Sequence, residues 1–138
     1  MPWAILDTNV YIGHWELGLY EATLLEVRRR FIVRQSAVVL SELRRGARTR
    51  LARRLVHALH EQAPILWEPT AGDWWEAGKV VREVGDVHGW ERTKRRDFQN
   101  DTLIALTARR HGAVVVTDNS ADFAILAERL GILVLDAA

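Results

Sequence analysis

The 138 residues are enough for one domain with a real core, expected to run over 1–138, and 49% hydrophobic with 27% charged residues is the balance of a soluble globular chain. The absence of cysteine excludes disulfide frameworks, thiol catalysis, iron–sulfur clusters and Cys-based zinc sites. No apolar run is long enough to span a membrane, and the N-terminus meets an acid at Asp7 too early for a signal peptide, so a cytoplasmic protein is expected.

Trp3-Ala4-Ile5-Leu6 is a short apolar run that stops at Asp7, which predicts a buried strand. Thr8 or Asn9 is placed to cap a short helix after it, and Gly13 and Gly18 bracket a loop. Leu19 to Arg30 has helical spacing, with Leu24, Val27 and Phe31 on one side, and Phe31 to Val33 predicts a second strand. Ser36 reads as the N-cap of a helix from Ala37 to Arg45, stopped by Gly46. A helix from Arg50 to Glu61 should turn Leu51, Leu55, Ala58 and Leu59 inward. Ile65 to Trp67 is a strand candidate closed by Pro69. The spacing from Thr70 to Val84 predicts a helix with Trp74, Ala77 and Val81 on one face, and Trp67 and Trp74 read as core. Gly85 to Arg92 reads as a flexible loop. Phe98 to His111 is helical and ends at Gly112, and Ala113 to Val116 is the clearest strand of the chain. Ser120 caps a helix to Leu130, and Ile132 to Leu135 is the last strand.

Strands alternate with helices, and the strands are continuous apolar runs. That predicts an α/β fold with a central, mainly parallel sheet covered by helices, a three-layer α/β/α sandwich. Ligands of such sheets bind beyond the carboxyl ends of the strands. Asp7 stands there after the first strand, and Asp118 and Asp122 follow the Val114–Val116 strand. Asp101 lies on the Phe98–His111 helix, and Glu42 lies between Leu40 and Leu43 on another. Singly, each acid has a plain structural reading as a helix cap, a first-turn acid or an Arg partner. Together they point to a hard divalent cation, Mg²⁺ or Mn²⁺, which offsets the mutual repulsion of carboxylates.

The positive charge is just as unevenly spread. Net charge is +1, yet Arg28 to Arg54 holds ten Arg and one acid, whereas Asp97 to the C-terminus holds six acids and three Arg. A basic stretch beside an acidic cluster suits a polyanion and a metal held together. Arg48, Arg50 and Arg53 are the candidate polyanion contacts, with a solvated face as the plain reading.

Leu6-Asp7-Thr8-Asn9-Val10, Ser41-Glu42-Leu43 with Gly46, Asn100-Asp101-Thr102-Leu103-Ile104-Ala105 and the run Thr117-Asp118-Asn119-Ser120-Ala121-Asp122-Phe123 occur in that order. In this the chain resembles the PIN domain and, more narrowly, the VapC-type toxins of toxin–antitoxin pairs. The resemblance implies a PIN-like α/β/α sandwich, a metal-dependent endoribonuclease, a VapB-like antitoxin and a homodimer. It implies that Asp7, Glu42, Asp101 and Asp122 are catalytic and bind Mg²⁺ or Mn²⁺, supported by Thr117, Asp118 and Asn119. Many relatives carry an acid where this chain has Asn119, so Asp122 or Asp118 must supply the fourth charge. Transfer RNA or ribosomal RNA is the implied substrate class. Glu42 would position water, accept its proton or ligate a second metal. Asp97, four residues before Asp101, is an optional outer acid, and Trp15, His88 or Trp90 could stack on an unpaired base.

Two other phosphate chemistries fit less well. A haloacid-dehalogenase-type phosphatase needs an acid where Asn9 stands, and a receiver domain needs acidic partners and a late lysine that are missing. The remaining alternative is a non-cleaving PIN-like module that binds RNA or a protein.

Overall fold

The computed structural model describes residues 2–138. In chain order the elements are β1 (Trp3–Leu6), α1 (Thr8–Leu17), α2 (Glu21–Arg30), β2 (Ile32–Val33), β3 (Gln35–Ser36), α3 (Ala37–Gly46), α4 (Arg50–Gln62), β4 (Leu66–Trp67), α5 (Ala71–His88), α6 (Arg92–His111), β5 (Val114–Thr117), α7 (Ser120–Leu130) and β6 (Val134–Asp136). β2, β1, β5 and β6 form a four-stranded sheet in that order, with every pairing parallel, and β3 pairs with β4 in a separate parallel ribbon. The sheet is flanked by helices, as the apolar strand runs require.

From β1 the chain continues to β2 on one side, whereas β5 continues to β6 on the other. The strand order therefore reverses between β1 and β5, and the crevice beyond their carboxyl ends is the switch point of the sheet. Register puts Leu6 beside Val116, and the backbone N–H of Asp7 donates to the Val116 carbonyl at 2.8 Å. The ladder thus carries Asp7 to the lip of that crevice. Ile5, Val115, Val116, Phe98, Ile104 and Phe123 are fully buried around it. Burying each large apolar side chain contributes roughly 1.5–3 kcal/mol, so the crevice stands on a well-packed floor.

Local chemistry sets the helix ends. Ser36 caps α3 as expected, its Oγ accepting from the Val39 N–H, and Thr70 and Asp73 form a capping box on α5. Asp7 itself, not Thr8 or Asn9, caps α1. Gly13 lies within α1 instead of opening a loop. A Cβ there would stand 2.8 Å from the Tyr20 ring, so glycine lets that ring cross the helix.

Four other expectations are corrected. Residues 85–92 are no flexible loop: α5 continues to His88, Gly89 closes it in the left-handed conformation, and α6 begins at Arg92 with Glu91 as its cap. The Arg95 guanidinium lies against Gly85, where a Cβ would be 2.7 Å away. Trp74 is 51% exposed and Leu51 60% exposed, so neither belongs to the core. The Trp90 ring is already engaged, since His88 stacks on it and the Lys94 ammonium lies 4.9 Å from its centroid.

Candidate functional site

Four elements bring the expected acids to the switch point. Asp7 follows β1 and is buried; Thr8 donates its backbone N–H to Oδ1 at 2.8 Å, and Thr117, the last residue of β5, donates its hydroxyl to Oδ2 at 2.8 Å. The Thr117 oxygen in turn accepts the backbone N–H of Asn119 at 2.9 Å. Burial outweighs these bonds and pushes Asp7 up to about 6.

Glu42 projects from α3 and is held at both oxygens. Thr8 donates its hydroxyl to Oε1 at 2.8 Å and Asn100 its amide to Oε2 at 3.3 Å. The residue after Asp7 and the residue before Asp101 therefore steer the third acid. Asp101 and Asp122 are joined by Asn119, whose amide nitrogen lies 3.4 Å from Asp101 Oδ2 and 3.1 Å from Asp122 Oδ2. Asp101 is pushed up to about 8, first by burial and then by the charges of Asp7, Glu42 and Asp122, against a smaller opposing pull from Lys94.

The two candidates for the fourth acid have different partners. Asp122, in the first turn of α7, shares the Asn119 amide with Asp101. Asp118 turns aside and accepts the Tyr20 hydroxyl at 2.7 Å. Tyr20 holds this position at the cost of a positive φ of 67°, the sole such value for a non-glycine among the described residues. Asp97 is exposed beside Arg96 and reaches none of the four acids.

Arg48, Arg50 and Arg53 are exposed, and among the described residues none of them forms an ion pair. Arg53 lines a groove of about 690 Å³ between α3 and α4 with Arg44, His57 and His60; none of the four acids lines it.

Several functional neighbours escaped sequence reasoning. Thr8 and Asn100 lie inside the motifs, but nothing in the pattern marked them as Glu42 partners. Tyr20 has no sequence signal. Lys94 donates to Asp122 Oδ2 at 2.5 Å and lies two helical turns before Asp101 on α6.

The donor set is all hard oxygen, and its crowding favours added positive charge, which fits a divalent cation. As the side chains stand, however, no three His, Asp or Glu residues among those described are arranged to enclose one. The acids are held instead by polar neighbours, Asp7 by Thr8 and Thr117, Glu42 by Thr8 and Asn100, Asp101 by Asn119, and Asp122 by Asn119 and Lys94.

Fold and site together define a parallel α/β protein with an acidic cluster at the switch point of its sheet. The chain belongs to the PIN domain family, whose model matches residues 4–129. Its structure is similar to a chain of VapBC-1 from nontypeable Haemophilus influenzae, with a TM-score of 0.71, 21% identity and 98% of each chain covered. It is also similar to a chain of DNA-bound VapBC from Salmonella typhimurium (TM-score 0.62, 25% identity, all of both chains) and of FitAcB from Neisseria gonorrhoeae (0.60, 23%, 97% of each). No curated protein matches it in sequence.

Proposed function

We propose that this protein is a metal-dependent endoribonuclease, the toxin of a VapBC-type pair. The observation that carries this reading is the gathering of Asp7, Glu42, Asp101 and Asp122 from four elements at one strand edge, close enough that the charges of the other three add to burial in raising Asp101 to about 8. Asp7, Asp101 and Asp122 are the residues that would hold Mg²⁺ or Mn²⁺, with Glu42 beside them. Such a cation, when bound, neutralises phosphate charge and acidifies water. The chain's own part is orientation. Thr117 fixes Asp7 Oδ2, Asn119 ties Asp101 to Asp122, and Thr8 and Asn100 aim Glu42, which takes the proton of the attacking water at its carboxylate. The exposed Arg of 44–54 would neutralise flanking phosphates.

Partners follow from the same reading. The toxin–antitoxin complexes among the structural relatives support a VapB-like antitoxin, and the solvent-facing Trp74 and Trp75 of α5 support a homodimer.

One observation favours a second reading, a PIN-like module that binds RNA or a protein without cutting: no three acids enclose an ion as they stand. A cleavage assay decides. Cleavage of RNA that needs Mg²⁺ or Mn²⁺, stops in chelator and disappears in Asp7→Asn and Asp101→Asn supports the nuclease. Equal cleavage by the double variant and the parent, from matched preparations, would falsify it.

A further inference from the structure

The basic run Arg92–Arg96 opens α6 just above the acids. Its members separate cleanly. Arg95 binds Asp86 and the Trp90 carbonyl, and Arg96 lies beside Asp97. Lys94 alone among them reaches the cluster, where its Nζ is 2.5 Å from Asp122 Oδ2. It is one of two lysines in a chain with 17 arginines.

The placement runs against local preference. Lys94 is the third residue of α6, where the positive end of the helix dipole disfavours a cation. Something beyond the helix must hold it there. Two partners do so: the Asp122 carboxylate in front and the Trp90 ring face behind, 4.9 Å from ring centroid to Nζ. Trp90 is itself wedged edge-on against buried Phe98, so the ring is a fixed wall. Asp122 has little other access to solvent, with a side chain 10% exposed, whereas Lys94 is 37% exposed and free to withdraw outward. An ammonium is a compact charge on a flexible stem, suited to leave and return; a guanidinium would lock the carboxylate in a fork.

We propose that Lys94 is a positioning residue that competes with the divalent cation for Asp122, so that it occupies this carboxylate while the site is metal-free and yields it when metal binds. The inference rests on the nuclease reading above. It also accounts for the arrangement of the acids, since the carboxylate that shares the Asn119 amide with Asp101 is the one that Lys94 holds.

Removing the charge removes both the competition for Asp122 and the repulsion between an ammonium and a dication a few ångströms apart. Even in a water-like dielectric that repulsion corresponds to about tenfold in affinity. The test titrates Mn²⁺ into the full-length, metal-free protein, read by electron paramagnetic resonance of the free ion. Lys94→Met and Lys94→Gln should each bind Mn²⁺ about tenfold tighter than the parent. Lys94→Arg, which keeps the charge and adds a fork to Asp122, should bind Mn²⁺ no tighter than the parent. In an Asp122→Asn background the gain from Lys94→Met should be smaller than in the parent, because the repulsion is still removed but no competition for Asp122 is. Binding by both neutral variants that is equal to or weaker than the parent's overturns the inference and leaves the nuclease reading standing. No Mn²⁺ binding by parent or variants overturns both.

Discussion

Replacing Asp101 with asparagine should stabilise the metal-free protein and abolish cleavage. Folded Asp101 keeps its proton up to about pH 8, and Asp7 up to about pH 6, whereas both are ionised in the unfolded chain above about pH 4. Between those limits the folded form holds more protons than the unfolded form, so stability falls as pH rises from about 4 and levels off above about 8. At pH 7 the Asp101 share spans about three pKa units at ~1.4 kcal/mol each, an upper bound near ~4 kcal/mol. Asparagine still bears part of the burial cost, and the acids titrate as a coupled set, so a gain of ~1–3 kcal/mol is expected. For a chain of this size each kcal/mol moves the melting temperature by roughly 3–4 °C. Thermal melts of parent and Asp101→Asn in chelator, at pH 4 and pH 7.5, measure it: the variant should melt higher at pH 7.5, and the gap should nearly close at pH 4. Millimolar Mg²⁺ should raise the parent by mass action and the variant far less. A variant that melts lower than the parent in chelator at pH 7.5 would make Asp101 an ordinary helix acid and displace the proposed site.

Replacing Arg48, Arg50 and Arg53 together with Ala should weaken RNA binding almost uniformly across sequences and reduce the salt dependence by about one unit of slope per lost phosphate contact; an unchanged slope assigns them to the antitoxin surface or to solvent. Light scattering at micromolar concentration should find a dimer that Trp74→Ser with Trp75→Ser dissociates, and a parent that is already monomeric refutes the α5 interface.

How far the fold was legible depended on whether one residue carried one message. Ser36 and Gly46 bound α3 in both sequence and structure because cap and stop are local chemistry. Gly85 misled because glycine can mean a break or a close approach, and only the fold shows Arg95 lying on it. α6 was begun too late because its first turn is charged and its cap is Glu91, a less usual capping residue. That error hid Lys94, whose relation to Asp101 exists only once both belong to one helix. Trp74 was placed in the core on apolar spacing alone, yet of the face it was assigned only Ala77 is buried in the core, while Trp74 stays exposed beside Trp75. β3 and β4 have two residues each, too few for any periodicity. The acids were legible because each closes a strand or sits on an apolar helix face, where a charge is costly and calls for a reason.

The strongest argument that the cluster serves chemistry is the company its acids keep elsewhere. Asp73 is also buried, yet burial there is outweighed by hydrogen bonds from Arg110 and Thr70, which hold it below the usual carboxylate range. Glu76 has Arg109, Glu83 has Arg129 and Asp86 has Arg95. The chain has 17 arginines to spend on its 18 acids. At the switch point it uses none: the four acids are met by Thr8, Asn100, Thr117, Asn119 and one lysine. Neutral donors orient a carboxylate without cancelling its charge, and a lysine cancels it reversibly. An Arg on Asp101 would remove the penalty that raises it to about 8, and a fork-shaped guanidinium would also fill the crevice. Leaving that penalty in a protein with so much guanidinium at hand is hard to explain as packing. It is the arrangement expected where the missing positive charge arrives with a ligand.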